Sequence, residues 1–355
     1  MFADNDRISQ RQLLRQMILA LLGAWLLFLA GGVCQAGQNG LAGMALGFLL
    51  LAGWLLLLIR NAGVYENMER YIGKAGRLLV IIVYLSFLVL TGSFLLRKIS
   101  SLCGEYLISG ISPEFLGLLL LLAAGAGIRN DIQQRARLAE IFYPFVMTGF
   151  VLMLILAAFH MRAESFADAA AFSLTEVARE GWRTLGAGAV LAVLPFLLGQ
   201  VEQEKRLKRP LLEGLGKVWL FLTAAAVILI GTFGLEGVRR MEVPVIQLMA
   251  GTRLPGKFLE RFDIVWLALL LCSILFALGS LLFYGTHLTG MRGDKGRIFR
   301  AAMGALIYGG SVLGQEGSGM EQWYPLMAER FYLPFFLILT LALRIFSRRT
   351  GKKRR

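Results

Sequence analysis

In this chain of 355 residues, the residues best placed for chemistry are glycines and hydroxyls inside apolar runs rather than paired acids and bases. The two histidines, His160 and His287, stand at the ends of apolar runs with no partner visible in the pattern. Three cysteines, Cys34, Cys103 and Cys272, have unrelated spacings and form no metal motif. Cys34 and Cys103 both fall near the outer ends of their runs, so a bridge between them is open. A nucleotide-binding loop pattern and paired carboxylates inside apolar runs are both missing, and hydrolytic or ATP-driven work would need one of them. The pattern predicts no enzyme, no metal and no cofactor.

What remains is non-covalent recognition of a small zwitterion. Gly23 lies in Leu21-Leu22-Gly23-Ala24-Trp25, and Gly186 and Gly188 lie in Leu185-Gly186-Ala187-Gly188-Ala189, with Pro195 a turn or two further on. A helix broken at such glycines points freed amide donors at a carboxylate, while its freed carbonyls accept from an ammonium. Gly23, Ala24, Trp25, Gly186 and Gly188 are therefore the first candidates for ligand contact. Tyr84, Ser86, Trp266 and Ser273 can wall a midplane pocket. Each also has a plainer reading: Tyr84 and Trp266 as amphipathic bulk, Ser273 bonded to its own helix, and the glycines as points of close helix packing.

The elements that must position these residues are membrane spans. Apolar residues make up 57% of the chain and charged residues 17%, against about 45–50% and about 25% in soluble proteins. The charges cluster between long apolar runs, as hydrocarbon demands. Ten runs can be read: about 14–33, 39–59, 77–96, 113–128, 138–159, 183–201, 215–235, 261–284, 298–314 and 331–346. The connection around 160–182 is weakly amphipathic (Phe166, Ala169, Phe172, Leu174, Val177) and reads as a short surface helix. Of the 37 Lys and Arg residues, 26 fall on the side of the two termini and 11 on the other, so both termini are expected in the cytoplasm. The net charge of +14 follows from this bias and from the tail 348–355. It implies anionic lipid rather than nucleic acid.

Ten spans divide into two sets of five, and because five is odd the second set enters from the opposite face, as in inverted-repeat transporters. The expected architecture is a single all-α transmembrane domain over 1–355. It comprises a first repeat in 1–160, a second in 183–347 and a basic cytoplasmic tail, with the first and sixth helices broken.

Several strings fall in a characteristic order against these spans. They are Ile8-Ser9-Gln10-Arg11-Gln12, Ala36-Gly37-Gln38-Asn39-Gly40, Tyr71-Ile72-Gly73-Lys74-Ala75-Gly76, Arg135-Ala136-Arg137-Leu138-Ala139-Glu140, Val243-Pro244-Val245-Ile246-Gln247-Leu248 and Phe258-Leu259-Glu260-Arg261-Phe262-Asp263. In this the chain resembles the spore germination permease family, the B subunits of nutrient germinant receptors, within the amino acid–polyamine–organocation superfamily. The resemblance implies a receptor subunit in the spore inner membrane that binds a nutrient, commonly an amino acid. It also implies work alongside a membrane-embedded A subunit and a lipoprotein C subunit. A secondary amino-acid permease of the same fold is the alternative.

Overall fold

A computed structural model describes residues 7–29, 33–108, 110–128, 132–166, 171–202, 207–241, 243–251 and 262–313, together with 319–352. Among the described residues the structure is all-helical, and the apolar runs lie mostly on helix. In chain order the α-helices are α1 (Gln10–Leu29), α2 (Gln38–Arg60), α3 (Ala62–Glu66), α4 (Glu69–Tyr106), α5 (Pro113–Ala126) and α6 (Ile132–Ala158). There follow α7 (Leu174–Ala187), α8 (Lys208–Arg240), α9 (Pro244–Gly251), α10 (Phe262–Thr289), α11 (Gly293–Leu313), α12 (Gly319–Met327) and α13 (Leu333–Lys352). A 3₁₀ segment, Gly188–Phe196, continues α7, and a π segment, Ala328–Tyr332, joins α12 to α13.

Among the described residues six helical stretches are long and apolar enough to cross a membrane: Gln38–Arg60, Glu69–Tyr106, Ile132–Ala158, Lys208–Arg240, Asp263–Thr289 and Gln322–Arg348. The protein is therefore a multi-pass membrane protein. Many large side chains on these helices face outward, among them Leu49, Leu78, Ile141, Phe145 and Leu220. Such an apolar exterior is stable only in lipid.

Two of the long helices are each interrupted at a glycine. Gly73 in α4 has φ 73° and ψ 174°, and Gly234 in α8 has φ 68° and ψ 169°. Both conformations are essentially reserved for glycine. A Cβ at Gly73 would meet nothing within 4 Å, so a substitution there tests backbone strain alone. Gly73→Ala is expected to cost about 1–3 kcal/mol of stability, read as a lowered thermal midpoint. Gly63→Ala, equally uncrowded and with no positive φ, serves as the neutral comparison.

The connection expected at the surface behaves otherwise. Residues 174–187 form the amphipathic α7, capped by the Ser173 hydroxyl, and one face is laid tightly on α2. Phe172 and Leu174 are exposed, and Val177 and Glu180 are buried. Ala169 and the Phe166 side chain lie outside the described residues. Asn39 ties the start of α7 to α2: its Nδ2 donates to Glu176 Oε2 and to Ala171 O, both at 2.9 Å, and its Oδ1 accepts from the Ser173 amide. The three cysteines are unbonded, so Cys34 and Cys103 do not pair. Burial pushes the Cys34 thiol, in the turn between α1 and α2, up to about 12.

Candidate functional site

The site is built around the segment where α7 ceases to be an α-helix. Gly188 closes α7 at φ −80°, ψ 0°, and residues 188–196 wind on as 3₁₀ with Pro195 inside. Proline has no amide hydrogen. In a 3₁₀ turn, whose bonds run from residue i to the carbonyl of i−3, Pro195 therefore leaves the Ala192 carbonyl without its backbone donor. That carbonyl is buried, where a missing partner costs free energy. The Tyr84 hydroxyl of α4 supplies the bond, donating to Ala192 O at 3.1 Å.

Two further carbonyls along the segment are served from outside in the same manner. Trp25 Nε1 of α1 donates to Ala187 O at 3.1 Å. His287 of α10 stands with Nε2 2.9 Å from Phe196 O, and because a carbonyl only accepts, Nε2 carries the proton. Three helices thus each send one side-chain donor to the discontinuous sixth run. Tyr84 is fixed further by its rings: it meets Phe196 at 5.2 Å and Phe336 of α13 at 4.6 Å between centroids.

The broken first helix is a correction. Residues 10–29 form one unbroken α-helix through Gly23. Gly23 serves close approach instead. A Cβ there would sit 2.7 Å from Ser273 Oγ of α10, and that hydroxyl donates to Leu19 O at 2.8 Å. Ser273 therefore bonds to the neighbouring helix. Gly188 likewise admits Leu51 of α2, and Gly186 admits the stem of Glu329.

The other expected residues are placed as follows. Ala24 is half-buried beside Trp25. Ser86 is exposed and bonded to Val83 O and to the Tyr332 hydroxyl in the π segment. Trp266 is fully buried but packs, tilted by 50°, against Phe150 of α6, which in turn meets Phe221 of α8. It acts as packing bulk. Between α1 and the 3₁₀ segment lies an apolar void of about 30 Å³, lined by residues including Met17, Leu21, Val190, Leu194 and Tyr284. That is roughly the share of one water in the liquid, so an amino acid enters only if α1 and the segment part.

Several polar residues here escape a sequence reading. His287 looked partnerless because its acceptor is 91 positions away. Arg135, expected in a loop, is buried between α6 and α10. It donates to Phe276 O at 2.6 Å and to Ser280 Oγ, with its guanidinium 4.3 Å from the Phe276 ring centroid. Glu180, also buried, bonds Arg183 at 2.8 Å, and Arg183 reaches Glu329 at 3.9 Å across to the π segment. Trp182 Nε1 donates to Glu329 O at the same junction. Isolated charges between uncharged runs carry no periodic signal that would have revealed these partners.

A multi-pass helical bundle with a discontinuous, side-chain-supported helix at its centre defines a transporter-like fold. The chain resembles a crystal structure of MhsT in complex with L-phenylalanine, with a TM-score of 0.65 and 16% identity, covering 93% of this chain and 88% of that one. Residues 7–292 match the family model for spore germination proteins, the spore permeases, and the chain belongs to that family. A curated relative, the spore germination protein YndE of Bacillus subtilis (strain 168), is 24% identical over 298 residues, which is 81% of each chain.

Proposed function

We propose that this chain is the membrane-embedded subunit of a spore germinant receptor that binds a small nutrient of the amino-acid class at the discontinuous 188–196 segment and signals germination. The observation that carries the reading is the set of carbonyls at Ala187, Ala192 and Phe196, each held by a side-chain donor from a different helix. A ligand ammonium is a stronger competing donor for such carbonyls. Replacing one donor releases the helix that carried it, so ligand binding and helix movement become one event. MhsT, whose fold this chain shares, is described with L-phenylalanine bound, which supports an amino acid as the ligand class.

Gly23, Ala24, Trp25, Tyr84, Gly186, Gly188 and Ser273 are proposed to border the opened site, with Ser86 and Trp266 more remote. The architecture proposed with it has ten spans in two inverted sets of five, 1–160 and 183–347, and both termini in the cytoplasm of the spore. The A subunit and the lipoprotein C subunit are the proposed partners, and they would receive the movement.

The test is thermal stability of the purified protein against a panel of amino acids, sugars and nucleosides, paired with deletion of the gene. A ligand at 100 times its dissociation constant is expected to add about 2.7 kcal/mol of stability, and deletion is expected to abolish the spore's response to that compound. A normal response of deleted spores to every nutrient would overturn the receptor reading. Labelled uptake by the isolated protein in vesicles would establish instead an amino-acid permease of the same fold.

A further inference from the structure

A second cavity lies where α10 ends and α11 begins, about one turn of α10 along from the void that Tyr284 lines. Its volume is about 300 Å³, and its polar lining comprises Gln200, Thr286, His287, Arg292 and Arg300, with Gly293 opening α11. This is the Lys- and Arg-rich end of the bundle, where residue 8 pairs with residue 201 and Gln133 bonds to Arg7 O.

The lining contains two guanidinium groups and no acidic residue. The 21-residue α11 opens beside the cavity at Gly293, and a helix N-terminus favours an anion; Asp294 in its first turn is held by Arg297 at 2.7 Å. His287 has its Nε2 proton committed to Phe196 O. The Gln200 side-chain oxygen is buried and has no hydrogen-bond partner. An acceptor in that position asks for a donor from whatever fills the cavity. One wall therefore calls for negative charge and another for a hydroxyl.

We propose that this cavity is a binding site for a phosphate ester bearing a free hydroxyl. Two sources share that chemistry: the headgroup of phosphatidylglycerol in the adjoining leaflet, and a soluble glycerol phosphate. The two guanidinium groups match the charge of the phosphate, and charge-assisted bonds of this kind are the strong ones. Gln200 accepts from the glycerol hydroxyl. Because α10 carries both His287 at this cavity and Ser273 against α1, an occupant here holds the same helix on which the proposed nutrient site depends. The inference does not require that site to bind a nutrient.

The experiment uses the full chain in two settings. Delipidated protein in detergent is titrated with glycerol 3-phosphate and, separately, with inorganic phosphate. Protein in phosphatidylcholine nanodiscs is compared with protein in nanodiscs that also contain phosphatidylglycerol. A rise in thermal midpoint with glycerol 3-phosphate identifies a soluble ligand, and a rise only with phosphatidylglycerol identifies the lipid. Changing Arg292→Gln together with Arg300→Gln is expected to weaken the effective probe at least about tenfold. Changing Arg209→Gln together with Arg297→Gln removes the same charge from exposed positions outside the cavity and is expected to leave binding unchanged. Gln200→Leu keeps both guanidinium groups. It should weaken glycerol 3-phosphate but not inorganic phosphate, or, if the lipid is the ligand, reduce the phosphatidylglycerol effect. Absence of stabilisation in every setting, or equal losses in the two arginine pairs, would overturn the proposal.

Discussion

Gly47→Leu is expected to leave little folded protein. Gly43 and Gly47 are four residues apart on α2 and so share one face. A Cβ at Gly47 would lie 2.5 Å from Thr184 Cβ and 2.7 Å from the Gly181 carbonyl oxygen. At Gly43 it would lie 2.6 Å from Glu180 Cβ and 2.8 Å from Val177 O. Two of these four neighbours are backbone atoms, which no rotamer change can withdraw. The side chain must therefore separate α2 from α7, opening Glu180 and the Asn39 bonds that hold the start of α7. Overpacking of this kind costs about 1–3 kcal/mol, occasionally more, and a rigid backbone contact belongs at the upper end. The readout is the monodisperse fraction in size-exclusion chromatography together with the thermal midpoint. Gly53→Leu, on the same helix but with nothing within 4 Å of its Cβ, should behave as wild type. Equal behaviour of the two variants would mean that α7 does not lie on α2.

Tyr84→Phe is expected to act on the response more than on folding. The ring contacts with Phe196 and Phe336 survive the change, and only the hydroxyl is lost. The Ala192 carbonyl then loses its side-chain donor, and Pro195 cannot supply a replacement. A buried acceptor left unpaired costs about 1–3 kcal/mol. That penalty falls on the closed arrangement and is relieved when the segment opens to water or to a ligand. At 1.4 kcal/mol per factor of ten, opening becomes about five- to a hundredfold more favourable. Hydrogen exchange over 188–196 should rise, and spores carrying the variant should germinate at lower nutrient concentrations or without nutrient. Faster exchange with an unchanged response would show that this segment does not report ligand binding.

The all-helical, multi-pass character was legible because hydrocarbon leaves few alternatives: every stretch that enters it must be apolar and helical. The irregularity of the sixth run was legible too, since Gly186, Gly188 and Pro195 are poor continuations of an α-helix. The matching break at Gly23 was not there, because one glycine costs a helix only about 1 kcal/mol and this one is used for contact with Ser273. Which side chain serves which carbonyl could not be read at all. Tyr84 and Ala192 are 108 positions apart, and Trp25 and Ala187 are 162 apart. No local pattern encodes such a pairing. The burial of Glu180 escaped for a related reason: amphipathicity announces that a helix has two faces, but a charged residue on the buried face is tolerated only through its partners, here Arg183 at 2.8 Å and Arg179 at 3.6 Å on the same helix.

The bond from Ser273 to Leu19 O spans 254 positions. During synthesis, at about 5–20 residues per second, α1 leaves the ribosome roughly 13–50 s before the helix that completes its packing. α2 waits for α7 in the same way, though for a shorter stretch of chain. The earliest helices of this protein therefore spend their first moments as lone guests of the lipid or of the insertion machinery, with buried-to-be groups such as Gln16 and Asn39 unshielded. Assembly proceeds backwards, the last-made helices closing around the first.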